Sequence, residues 1–148
     1  MKKLFIYYSF TGNGDEVATA LSNKGYDIRK VVENYKMPKS FFWSVMAGGF
    51  RAGIHAKGKL IDYNDDVSEY QQIVIGSPIW NGRFPPAINS VLQLTKLEDK
   101  NLTFLLYSGS GEGKNAVKKI NKYFPKAKII FLKEPKKNVD EYNKLKDL

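Results

Sequence analysis

Four short apolar runs decide what this chain can fold into: residues 4–8 (LFIYY), 73–75 (IVI), 104–107 (FLLY) and 129–132 (IIFL). Each is rich in β-branched or aromatic residues and is closed soon after by Ser, Gly or Pro. Such runs are apolar at every position, the pattern of strands buried on both faces, as in a parallel sheet. A weaker run at 26–32 (YDIRKVV) predicts one more strand. Between the runs, apolar residues recur at helical spacing. Residues 15–24 carry Val17, Ala20 and Leu21, with two acids in the first turn. Residues 86–97 place Ile88, Val91, Leu92 and Leu94 inward, and residues 114–124 do so with Val117, Ile120 and Phe124, before Pro125 stops the helix. A last helix at 138–147 would use Val139, Tyr142 and Leu145. Strands alternating with helices predict an α/β fold, one parallel sheet covered on both faces. With no repeat, low-complexity tract or linker, residues 1–148 read as a single domain.

Composition removes whole classes of chemistry. The chain has no cysteine, so disulfides, thiolate catalysis and cysteine-ligated metals are out. One histidine, His55, leaves little for a histidine triad or a multi-histidine zinc site, and it reads as a surface residue. Met1-Lys2-Lys3 before an apolar run resembles a signal peptide, but the run ends at Ser9 without a cleavage motif. No stretch reaches bilayer-spanning length, and the expected location is the cytoplasm.

The net charge of +9 is unevenly placed. Residues 111–148 hold eleven lysines against five acids, and residues 36–59 hold five Lys/Arg and no acid. Such charge favours acidic partners. A basic binding module that uses the fold only as a scaffold is one reading, but the lysines spread over amphipathic helices and no nucleic-acid motif accompanies them. Segment 36–59 has four glycines and keeps Phe42, Val45, Met46, Phe50 and Ile54 at helical spacing. Either it packs on the sheet or it offers a patch to a membrane or partner.

Chemistry is expected beyond the carboxyl ends of the strands, where parallel sheets bind ligands. The first loop, Ser9-Phe10-Thr11-Gly12-Asn13-Gly14, puts two hydroxyls, two glycines and a run of N–H groups at a helix start. That suits a phosphate; a turn capped by Asn13 or Asp15 explains it equally well. It lacks the Walker lysine and the GxGxxG spacing. In the second loop, Gly76-Ser77-Pro78 presents Ile79 and Trp80, Asn81-Gly82 make a turn, and Pro85 and Pro86 stiffen the return. Trp80 is either a core tryptophan or a rigid plate for a flat ring. Arg83 beside it is a solvated arginine or an anion attractor. The third loop, Ser108-Gly109-Ser110-Gly111-Glu112-Gly113, is a flexible turn or a backbone clamp.

Taken together these loops resemble the flavodoxin family over essentially the whole chain. SFTGN is similar to the family's S/T-x-T-G-N phosphate loop, GSPIWNG to its flavin-stacking loop, and YSGSGEG, more loosely, to its third. The resemblance implies a three-layer sandwich with a five-stranded sheet of order 2-1-3-4-5, and non-covalent FMN. It puts Ser9, Phe10, Thr11, Gly12, Asn13 and Gly14 on the phosphate. Pro78, Ile79, Trp80, Asn81 and Gly82 fall beside the ring system, and Ser108, Gly109, Ser110, Gly111 and Gly113 at its pyrimidine edge. It further implies that the Asn81–Gly82 peptide turns over as the flavin is reduced. Three departures stand out. Gly14 replaces the family's closing threonine, the third loop has no aromatic residue, and the chain is basic where well-studied flavodoxins are acidic.

The function implied is one- or two-electron transfer with a redox partner protein, acidic to suit this charge. The alternative is an FMN-dependent NAD(P)H or quinone reductase with an open flavin face. No catalytic side chain and no metal are expected.

Overall fold

The computed structural model describes residues 1–34 and 58–148. Phe42, Val45, Met46, Phe50, Ile54 and His55, and with them nearly all of segment 36–59, lie outside the described residues. Five strands, β1 (Lys3–Tyr7), β2 (Asp27–Lys30), β3 (Gln72–Pro78), β4 (Asn101–Ser108) and β5 (Lys128–Lys133), form one sheet. Its order is β2-β1-β3-β4-β5 and every pairing is parallel. The expected α/β sandwich and strand order are therefore present.

Alternation along each strand divides the core between two faces. Leu4, Ile6, Ile73, Ile75, Phe104 and Leu106 point to one face, beneath helices α2 (Pro86–Leu94) and α3 (Lys114–Tyr123). Phe5, Tyr7, Val74, Leu105, Tyr107 and Leu132 point to the other, beneath α1 (Asn13–Ser22) and the terminal helix. Because β1, β3 and β4 are covered on both sides, their sequences are continuously apolar.

The helices differ from expectation in three places. α1 begins at Asn13 with Gly12 in the N-cap position at φ +95°, and no side chain caps it. Neither Asn13 nor Asp15 is the cap, because both side chains are engaged elsewhere. Leu94, expected to face inward, is half-exposed at the end of α2. The last element is a 3₁₀ helix, Val139–Leu145, and not an α-helix. With three residues per turn Tyr142 and Leu145 fall on one face against the core, where Leu148, beyond the helix end, also packs. Val139 stays exposed. The Glu141 carboxylate, accepting the Lys133 N–H at 2.8 Å, ties this helix to β5. Among the described residues no helix is long and apolar enough to cross a membrane.

Candidate functional site

The carboxyl ends of all five parallel strands lie along one edge of the sheet. There, beside the β1/β3 switch point, a cleft of about 780 Å³ is lined by Phe10, Thr11, Asn13, Pro78, Ile79 and Trp80. Tyr107, Ser108 and Gly109 close it from β4, and Glu134, Lys136 and Lys137 from the loop after β5. Its volume is that of a cofactor-sized site. A smaller cleft of about 500 Å³, around Asp65, Asp66 and Lys100, lies at the opposite, amino-terminal edge of β3 and β4, away from the switch point.

The first loop is a cradle by construction. The first amides of α1 have no carbonyl within the helix to bond, and the aligned peptide dipoles make this end favourable for an anion. Gly12 turns the chain into the helix in a left-handed conformation that side chains rarely adopt. The Gly14 N–H donates to Ser9 Oγ at 3.1 Å, so this donor, expected to face a phosphate, is engaged within the loop. Asn13 Oδ1 accepts the backbone N–H of Lys136 at 3.0 Å.

Gly14 has a packing reason. A Cβ there would lie 2.7 Å from the Tyr107 hydroxyl, 2.8 Å from the Tyr7 ring and 2.9 Å from Ser9 Cβ. The tyrosines occupy the volume a threonine would need. Tyr107 donates to the Tyr8 carbonyl at 2.9 Å, and Tyr7 to Asp15 Oδ1 at 2.8 Å. Burial pushes the Tyr107 hydroxyl far above its ordinary range, and burial followed by the Asp15 contact raises Tyr7 likewise. Both donate as neutral phenols. Burial alone would raise the Asp15 carboxyl, but the Lys30 ammonium at 2.7 Å and the Tyr7 hydroxyl outweigh it and hold it below its usual range.

The second loop is a two-residue hairpin. Trp80 and Arg83 exchange backbone hydrogen bonds at 2.9 and 3.0 Å around Asn81 and Gly82, whose φ values are +51° and +74°. Positive φ at both central residues is the type I′ geometry that Asn-Gly favours. The Gly82 carbonyl accepts the N–H groups of Asn115 and Ala116 at 3.1 and 3.0 Å. The start of α3 therefore holds this hairpin. Trp80 is half-buried, with Tyr8 and Phe10 packed against it edge to face, at centroid separations of 5.9 and 5.8 Å. Two such contacts orient the indole as a wall of the cleft. Arg83, read as a solvated arginine or an anion attractor, has its Nε buried, and its side chain lines a small cavity between α2 and α3 beside Phe84 and Lys119.

Of the expected site residues, the cleft gathers Phe10, Thr11, Asn13, Pro78, Ile79, Trp80, Ser108 and Gly109 on its walls. Ser9, Gly12, Gly14, Asn81 and Gly82 shape the loops behind those walls. Ser110, Gly111 and Gly113 lie outside the lining. Ser110 Oγ accepts the Glu112 N–H at 3.3 Å, Gly111 turns at φ +76°, and Gly113 packs on Ile79. Glu134, Lys136 and Lys137 escaped the sequence reading, which counted those lysines only in the basic charge of residues 111–148. The signal available was their position directly after β5, at the same edge of the same sheet. Among the described residues no cluster of three or more His, Asp or Glu could hold a metal.

A cleft at the switch point of a 2-1-3-4-5 sheet, walled by the loops after β1, β3 and β4, defines a flavodoxin-like fold. No protein-family model matches the chain, and no curated protein matches it significantly. Solved structures do share its fold. A provisionally assigned flavoprotein from Bacteroides uniformis superposes with a TM-score of 0.71 at 20% identity, covering 88% of this chain and 90% of that one. A second, from Bacteroides eggerthii, gives 0.69 at 19% identity, covering 88% and 85%. A flavoprotein from Lactobacillus acidophilus, solved in complex with FMN, gives 0.66 at 19% identity, covering 96% and 98%.

Proposed function

We propose that this chain binds FMN non-covalently and carries one or two electrons between partner proteins in the cytoplasm. The observation that carries the reading is the arrangement of the cleft, with a helix-start cradle at one end and the fixed Trp80 indole along one wall. It suits a ligand that is both phosphorylated and flat. The FMN complex of a structurally similar protein supports the same choice. Ser9 to Gly14 would surround the phosphate, Pro78 to Gly82 the ring system, and Ser108 and Gly109 its pyrimidine edge. Bound FMN supplies electron chemistry that no side chain here offers. The protein's share is to orient the ring, exclude water from one face and set the surrounding charge. A net charge of +9 favours an acidic redox partner.

One feature favours a second reading, an NAD(P)H or quinone reductase. A Cβ added at Gly109, which lines the cleft, would meet nothing within 4 Å, so the third loop leaves space there. An anaerobic stopped-flow experiment on the FMN-loaded protein separates the two. For a carrier, NADPH alone leaves the flavin oxidised, while chemically reduced protein passes electrons to a protein acceptor. Rapid bleaching by NADPH, with turnover on a quinone, selects the reductase.

A further inference from the structure

The loop after β5 reaches across the sheet edge to the phosphate cradle. Its backbone is tightly wound: Glu134 adopts φ +43°, and its carbonyl accepts the N–H groups of Lys137 and Asn138 at 2.9 and 3.0 Å. Asn138 Nδ2 donates to the Lys133 carbonyl at 2.7 Å. This winding brings the Lys136 N–H to Asn13 Oδ1 at 3.0 Å, and its Nζ to within 3.5 Å of the Thr11 carbonyl. The same ammonium lies 3.1 Å from where a Cβ on Gly12 would be.

We propose that Lys136 supplies the positive charge that holds the phosphate of bound FMN, reaching from the β5 loop into the cradle at the start of α1. This inference rests on the FMN reading above. Neighbouring cations are committed elsewhere: Lys137 pairs with Glu134 at 2.8 Å and Lys30 with Asp15 at 2.7 Å. Among the described residues Lys136 forms no ion pair, and its one long contact to a carbonyl leaves ammonium donors for an anion. A phosphate monoester carries a charge of about −1.5 to −2 at neutral pH, whereas a helix start offers roughly half a unit charge. The lysine supplies much of the difference. At an exposed site the attraction is screened by salt.

The test compares FMN with riboflavin, which has the same ring and no phosphate. Flavin fluorescence titrations of the flavin-free protein are run at low and high salt, for wild type, Lys136→Gln, Lys136→Arg and the remote control Lys126→Gln. Lys136→Gln is expected to weaken FMN binding about tenfold, the scale of one charge-assisted contact, and to flatten its salt dependence. Riboflavin affinity should not change. Lys136→Arg should retain most FMN affinity, and Lys126→Gln all of it. Wild type that binds FMN beside a Lys136→Gln protein that binds it equally well overturns this inference alone. Equal weakening of riboflavin and FMN overturns it too, since the loss would then be structural. Wild type that binds neither flavin overturns the proposed function and this inference together.

Discussion

The Tyr107 hydroxyl stands 2.7 Å from where a side chain on Gly14 would begin. One residue closes the loop after β1 and the other lies near the end of β4, so the two compete for the same space. The tyrosine is held there by its hydrogen bond to the Tyr8 carbonyl. The glycine therefore reflects packing and is not a lost phosphate contact waiting to be restored.

Restoring the family's threonine should accordingly harm the protein. Gly14→Thr is expected to cost about 2 kcal/mol of stability, the scale of overpacking a filled site, with no gain in flavin affinity. Gly14→Ala should cost less, and its cost should fall further in a Tyr107→Phe background, where the nearest atom is gone. Urea unfolding of the two single variants and the double variant reads this coupling. Strictly additive costs would show that residues 14 and 107 do not compete for space.

Asp15 links α1 to β1 and β2 through Tyr7 and Lys30. Its carboxyl titrates below the ordinary range, so the pairing stabilises the fold above about pH 4, the usual carboxylate value. That contribution is lost as pH falls through the lowered value. Both members of the ion pair are about half exposed, which limits the gain to about 0.5–1 kcal/mol. Asp15→Asn should lower the melting temperature slightly at pH 7 and match wild type once the pH is well below the carboxylate range. A difference that persists unchanged in acid would contradict the assignment.

Asn81 sits at φ +51° in a type I′ hairpin whose far side is pinned by α3. Turning the Asn81–Gly82 peptide over would take residue 81 into a region of backbone space that glycine enters more easily. Asn81→Gly is expected to widen the gap between the two reduction potentials of bound FMN by making the first less negative. Spectroelectrochemistry on both proteins decides the point, and an unchanged gap would remove the turning peptide from the account.

Much of this architecture was legible in the sequence because burial on both faces leaves a strong trace. The continuous runs around Phe5, Val74 and Leu105 marked the central strands, and the switch point then located the loops. Local chemistry was also readable at Asn81-Gly82, where the dipeptide itself specifies the turn. What stayed hidden depends on contacts between distant segments. Nothing near Gly14 in the chain announces Tyr107, and nothing near Asn13 announces Lys136. The terminal helix was legible as a helix, but not its winding, because a three-residue spacing fits an α-helix loosely and a 3₁₀ helix well. The place of the Arg83 side chain was left open because only the packed α2 and α3 show where it goes.

The most direct test of the account is a fluorescence titration of flavin-free protein with FMN, carried out in parallel on wild type and Trp80→Leu. Stacking on the indole predicts one-to-one binding with strong quenching of flavin emission in wild type. It predicts weaker binding and much less quenching in the variant. No binding by wild type, or quenching that is the same in both proteins, would contradict the claim that Trp80 forms the flavin wall of this cleft.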